Sequence, residues 1–193
     1  MTIAELAPGH AEALAQFFLE LPDGDITFIK EDVTDPGTVR SWADGGGGAS
    51  RWVATEAGAV TGYVGIRRLP GWSDHVGELR LVVHPERRGT GLGRELARHG
   101  LSRALEAGLR KVVVELVADQ EHALEMFLKL GFTGKALLRD HIRDRDGGLR
   151  DLIMLAHHVD TTWEAMRAVG LASELGTEPG TELGTEPGTE GTR

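Results

Sequence analysis

The chain has 193 residues, 40% of them hydrophobic, and a formal net charge of -9 at pH 7. That length supports one domain with a sizeable core, and no run approaches the roughly 18 apolar residues that a membrane-spanning helix needs. It contains no cysteine, which excludes a disulfide framework, a thiolate nucleophile and a cysteine zinc ligand. An acidic balance makes general nucleic-acid binding a poor expectation. The first ten residues, MTIAELAPGH, lack the basic-then-apolar order of a signal peptide, so a cytoplasmic protein is expected.

In chain order, Thr2–Leu6 reads as a short strand and Pro8–Leu21 as a helix, broken by Leu21-Pro22-Asp23-Gly24-Asp25. Ile26–Trp42 is mixed, with a second short helix expected near Val39, and Ala43–Ser50 is a glycine-rich loop. Arg51–Glu56 and Val60–Leu69 read as strands around the turn Ala57-Gly58, and Gly77–Val83 as the next strand. Leu92–Ala107 is the clearest helix, with an apolar stripe of Leu92, Leu96, Ala97, Leu101, Ala104 and Leu105 and a stop at Gly108. Val112–Val117 is apolar apart from Glu115, as a central strand would be. Glu121–Leu130 reads as a helix closed by Gly131, and Phe132–His141 with Leu149–His158 as a final hairpin across Asp146-Gly147-Gly148. The expected organisation is one domain over residues 1–160, a candidate helix within 161–173, and an acidic low-complexity tail over 174–193. The Gly-Thr-Glu repeats of that tail have almost nothing to bury, which predicts disorder.

The most informative stretch is Val83-His84-Pro85-Glu86-Arg87-Arg88-Gly89-Thr90-Gly91-Leu92-Gly93, between a strand and a helix. Glycines let the backbone approach a ligand and adopt positive φ. A helix start offers unpaired N–H groups and the positive end of the helix dipole. Together they make an anion site suited to a phosphate or pyrophosphate. A P-loop would need Lys-Ser/Thr after the last glycine, where Arg94 and Glu95 stand. A dinucleotide fingerprint would need its third glycine one residue later, at Arg94. A plain turn would need one glycine, not three, since each costs backbone entropy on folding.

The remaining pattern, Arg88-x-x-Gly91-x-Gly93 after Val83-His84-Pro85, resembles the acyl-CoA-binding motif of the GNAT superfamily of N-acetyltransferases. The likeness continues in Gln120, Ala123 and Phe127-Leu128-Lys129-Leu130-Gly131-Phe132, and covers roughly residues 2–158. It implies an α/β (α+β) GNAT fold, a mixed, mostly antiparallel sheet of about six to seven strands flanked by helices. It implies acetyl-CoA as co-substrate, with its pyrophosphate on the backbone of Arg88, Gly89, Thr90, Gly91, Leu92, Gly93 and Arg94. Its pantetheine arm would pair along Leu81, Val82 and Val83, with Gln120 and Phe127 alongside. The other partner implied is an amine acceptor, with a homodimer as the candidate assembly; charge and hydropathy add the expectation of no nucleic acid and no membrane, and no metal is expected.

With no cysteine to carry the acyl group, the expected reaction is direct attack by a primary amine in a ternary complex. Glu78 is the first candidate base, since many members of the family place a carboxylate there, although it has Arg80 as a simple ion-pair partner. Glu115, a charge inside an apolar strand, is the second candidate base or an ammonium anchor. The family's usual acid, a tyrosine, is replaced by Phe127, and the chain's one tyrosine, Tyr63, reads as a core residue. The alternative is an acyl-CoA-binding sensor without turnover. His157 and His158 are adjacent in a strand and point to opposite faces, so they do not share a metal. Asp140, Asp144, Asp146 and Asp151 around the last hairpin read as a solvated loop.

Overall fold

The structure is a computed structural model that describes residues 1–26 and 29–159. The candidate helix within 161–173 and the acidic tail lie outside the described residues. Among the described residues seven strands form one sheet: β1 (Thr2–Glu5), β2 (Ala49–Glu56), β3 (Ala59–Arg68), β4 (Val76–Val83), β5 (Lys111–Val117), β6 (Thr133–Arg143) and β7 (Leu149–His158). Their order is β1-β2-β3-β4-β5-β7-β6. All neighbours are antiparallel except β4 and β5, which run parallel. The helices are α1 (Ala11–Leu19), α2 (Asp23–Ile26), α3 (Pro36–Ala43), α4 (Leu92–Glu106) and α5 (Glu121–Lys129). This is the mixed, mostly antiparallel sheet expected from the sequence. Among the described residues no helix is long and apolar enough to cross a membrane.

The sheet carries a core on each face. One is built on α4 and α5, with Leu92, Leu96, Ala97, Ala104 and Phe127 packed against Trp52, Val64, Leu79 and Val112. The other is built on α1 and α3, with Leu14, Phe17, Phe18 and Val39 packed against Val53, Val60 and Tyr63. Side chains alternate across a strand, so Trp52 and Val53, neighbours in β2, serve opposite cores.

One local expectation changes, and two details are added to it. The break after Leu21 contains one helical turn, α2, where Asp25 N–H donates to the Pro22 carbonyl at 2.9 Å. Pro22 fixes its own φ and so starts a turn more readily than it ends one. The stripe on α4 also includes a glycine: Leu101 and Leu105 are half-buried against the core, and Gly100 is buried beside them. A Cβ on Gly100 would stand 2.8 Å from Leu79 Cδ1 and 3.2 Å from Val64 Cγ2, so the bare backbone lets α4 sit close on the sheet. In the last hairpin β7 lies inside the sheet and β6 at its edge, with Leu137 of β6 55% exposed.

The feature that shapes the site is the pairing of β4 with β5. It covers only Val76–Glu78 against Lys111–Val113. β4 then continues to Val83 with β3 as its partner, and β5 continues to Val117 with β7 as its partner. The β5-facing edge of Leu79–Val83 is an open strand edge that an extended ligand can pair with.

Candidate active site at the β4–β5 split

The glycine loop closes the wide end of this split. His84 caps a short 3-10 turn at Pro85–Arg87, its Nδ1 accepting from Glu86 N–H at 3.4 Å. The Thr90 hydroxyl donates to the Arg87 carbonyl at 2.7 Å and pins the loop. Gly89 and Gly91 hold φ of 74° and 92°, a region that only glycine enters without strain. Gly91 is the N-cap of α4 and no side chain caps that end, so the first N–H groups of the helix face outward with the positive end of the dipole behind them. A Cβ on Gly89 or Gly91 would meet no heavy atom within 4 Å. The loop is therefore an open cradle of N–H donors, and it fits a pyrophosphate.

Arg88 leans over this cradle, its Nε donating to the Val83 carbonyl at 3.4 Å, and its guanidinium is ion-paired with Asp25 of α2. Gln120 is the N-cap of α5 and is half-buried. Phe127 is 3% exposed and meets Phe132 edge-on at 5.0 Å. Its ring is part of the core, which leaves it almost no surface for a ligand.

The narrow end of the split carries the charges. Glu78, the last β4 residue paired with β5, is 8% exposed. Its Oε1 lies 2.8 Å from Lys30 Nζ and 3.2 Å from Arg80 Nε. Glu115, on the same side of β5, places Oε2 2.8 Å from the same Lys30 Nζ. One ammonium thus bridges the two candidate bases. Arg80 and Arg67 are both paired with Glu31, Arg67 Nη2 at 2.6 Å from Oε1, which closes the network on that flank.

Burial alone would push the Glu78 carboxyl up, but hydrogen bonds from Arg80 and Lys30 outweigh it and hold its pKa below the ordinary carboxylate value. For Lys30 burial pulls down, and the hydrogen bonds to Glu115 and Glu78 outweigh it, so its pKa stands above the usual lysine value. Tyr63 is 5% exposed, stacked on Trp42 at 5.8 Å, and burial pushes its phenol up to about 12. It is a core residue, and no tyrosine acid stands in the split.

The structure thus brings Glu78 and Glu115 onto one ammonium where β4 and β5 part, and the glycine loop follows the far end of β4. Lys30 was not legible in the sequence, since it sits in a mixed stretch with no motif. The only signal is that the chain has 4 lysines against 17 arginines. Two of the hairpin aspartates hold the turn: Asp144 Oδ1 accepts from Gly148 N–H at 2.6 Å and Asp151 Oδ1 from Asp140 N–H at 2.9 Å. His157 is buried and His158 exposed, on opposite faces. A cavity of ≈ 260 Å³ lies elsewhere, against Trp52, Ile66, Arg68 and Arg103, with no motif residue in its wall.

A strand pair parts after three residues, with a glycine loop of open N–H groups beyond its mouth and two carboxylates on one ammonium at its apex. Residues 15–132 match the Acetyltransferase (GNAT) family, and the chain belongs to that family. A mycothiol acetyltransferase from Amycolatopsis mediterranei is 36% identical over 100 residues, which are 49% of this chain and 32% of that protein. The L-amino acid N-acyltransferase MnaT of Escherichia coli is 29% identical over 115 residues, 58% of this chain and 66% of that one. The chain therefore spans about a third to two thirds of the length of these curated relatives. Among solved structures, the ribosomal-protein-alanine N-acetyltransferase of Brucella melitensis superposes with a TM-score of 0.73 at 20% identity, covering 82% of this chain and 99% of that one. The yncA protein of Salmonella typhimurium, solved with its cofactor acetyl-CoA, superposes with a TM-score of 0.72 at 23% identity, covering 83% of this chain and 94% of that one. These likenesses establish the fold.

Proposed function

We propose that the chain is an N-acetyltransferase that moves an acetyl group from acetyl-CoA to a primary amine by direct attack in a ternary complex. The observation that carries this reading is the split itself, open along Leu79–Val83, cradled by glycines at one end and lined by Glu78 and Glu115 at the other.

In this reading the N–H groups of Arg88–Arg94 hold the pyrophosphate, and Arg88 exchanges Asp25 for a phosphate oxygen. The free edge of Leu81–Val83 pairs with the pantetheine arm and directs N–H groups at the thioester carbonyl, where they stabilise the charge that develops on its oxygen. Glu78 and Glu115 hold the acceptor's ammonium at the apex. An alkylammonium has a pKa of about 10 and must lose a proton before it attacks. Glu115 is the better receiver, because Glu78 is also held by Arg80. No side-chain acid is required, since a thiol of pKa about 8.5 departs as its thiolate. Phe127 therefore removes a helper, not a necessity. Mycothiol and L-amino acids, named for the relatives, place small amines first among the acceptors to try.

The test is calorimetry with CoA, followed by thiol release from acetyl-CoA with pooled primary amines and with none. Binding with amine-dependent release is expected. Tight binding without release from any pool would replace the transferase by a coenzyme sensor.

A further inference from the structure

Lys30 Nζ stands 2.8 Å from Glu78 Oε1 and 2.8 Å from Glu115 Oε2, at the point where β4 and β5 part. This is the place that the proposed function gives to the acceptor's ammonium. We infer that Lys30 is a resident amine in the acceptor position, and that acetyl-CoA acetylates its Nζ in cis when no other acceptor is present. The inference rests on the transferase reading and adds a modification site to it.

Three observations support it. The first is chemical. The other cations of the cluster, Arg67 and Arg80, carry guanidiniums that do not lose a proton in proteins, whereas a lysine can become a nucleophile. The single group in the network able to accept an acetyl stands at its apex. The second is geometric. A compact ammonium shared by two carboxylates fills a point, as a small amine's head group would, and both carboxylates lie within hydrogen-bond reach of its protons. The third is access. The Lys30 side chain is 50% exposed, against 10% for Glu78 and 24% for Glu115, so it reaches the split from its open side. Tethering makes it a competitor at high effective concentration.

The step balances without a further reagent. The ammonium gives one proton to a flanking carboxylate. Its lone pair forms the N–C bond to the thioester carbonyl carbon, and the C–S bond breaks with its electron pair going to the thiolate. A second proton leaves nitrogen and neutralises the thiolate. The products are an uncharged N-acetyl-lysine, free CoA and one proton.

The experiment incubates the full chain with acetyl-CoA and no added amine, digests it, and follows acetylation of all four lysines by mass spectrometry. Lys111, Lys129 and Lys135 serve as internal controls for uncatalysed reaction. Lys30 should react at least about tenfold faster than they do, at a rate per molecule independent of protein concentration and suppressed by excess CoA. Glu115→Gln should slow Lys30 and leave the three controls unchanged. A readout without coenzyme accompanies it. In lysine-15N protein, the Nζ resonance of Lys30, assigned with Lys30→Arg, should titrate above the ordinary lysine value, as its contacts with Glu78 and Glu115 beside Arg80, Arg67 and Glu31 require. Equal acetylation of the four lysines, or a rate that rises with protein concentration, overturns the proposal. Acetylation of pooled amines with Lys30 untouched overturns it while the transferase reading stands. Failure to bind CoA removes both.

Discussion

Gly91 is at φ 92°, with open space where a Cβ would be. Alanine there suffers no clash, so its effects separate cleanly. The left-handed backbone should cost about 1–2 kcal/mol, and the new methyl group should obstruct the N–H cradle. Gly91→Ala is therefore expected to lower the unfolding midpoint slightly and to weaken CoA binding much more, read by thermal unfolding and calorimetry on the same sample. A binding constant unchanged beside a lowered midpoint would remove the cradle. His157 makes a different prediction. It is 3% exposed and lies 5.1 Å from the Phe132 ring. Burial first, and the charge of His158 second, hold its pKa below the ordinary value, against a smaller opposing contact with the Leu130 backbone. The unfolded chain therefore binds a proton near pH 6.5 that the folded chain refuses. His157 contributes stability that is complete above about pH 6.5 and lost as pH falls through the depressed folded value, and His99 acts in the same direction. His157→Leu should narrow the gap between urea midpoints at about pH 7.5 and about pH 5.5. An unchanged gap would place the acid sensitivity elsewhere.

At the scale of elements, α4 illustrates what pattern reading sees and what it misses. Its leucines announce an amphipathic helix because apolar side chains recur at helical spacing. Gly100 carries no side chain and gives no such signal, yet a Cβ there would crowd Val64 of β3 and Leu79 of β4. Gly100→Val should push against Leu79 and Val64 and destabilise by about 1–3 kcal/mol, although valine is a better helix former than glycine. A chemical-denaturation midpoint at or above that of the parent chain would mean that the helix lifts off without penalty. The same contrast applies to the last hairpin. Its turn residues were legible, and the run Leu152–Ala156 is apolar on both faces, as an inner strand must be. That β7 enters the sheet beside β5, and leaves β6 at the edge, depends on long-range pairing.

At the scale of the molecule, the two cores share strands. Trp52 and Ala54 serve one and Val53 the other, so neither core can open without disturbing β2. Leu96 and Phe18 are fully buried, one in each core. Leu96→Ala should cost about 2–5 kcal/mol and Phe18→Ala about 3–5 kcal/mol. In both variants tryptophan fluorescence and far-UV circular dichroism should report one coincident transition. Separated transitions would show that the faces unfold independently.

The sequence by itself determined the seven strands, the long helices and the glycine-rich turn before α4, because these depend on short-range periodicity and on backbone freedom, and it marked Glu115 as a charge placed in an apolar strand. Tertiary structure alone decided that β4 and β5 pair for three residues and then part. It also decided that Phe127 belongs to the core, that Asp25 engages Arg88, and that Lys30 stands between Glu78 and Glu115. The physical reason is distance along the chain. Lys30 and Glu78 are 48 residues apart, and no local pattern encodes a contact made only when two strands and the segment after α2 converge on one point.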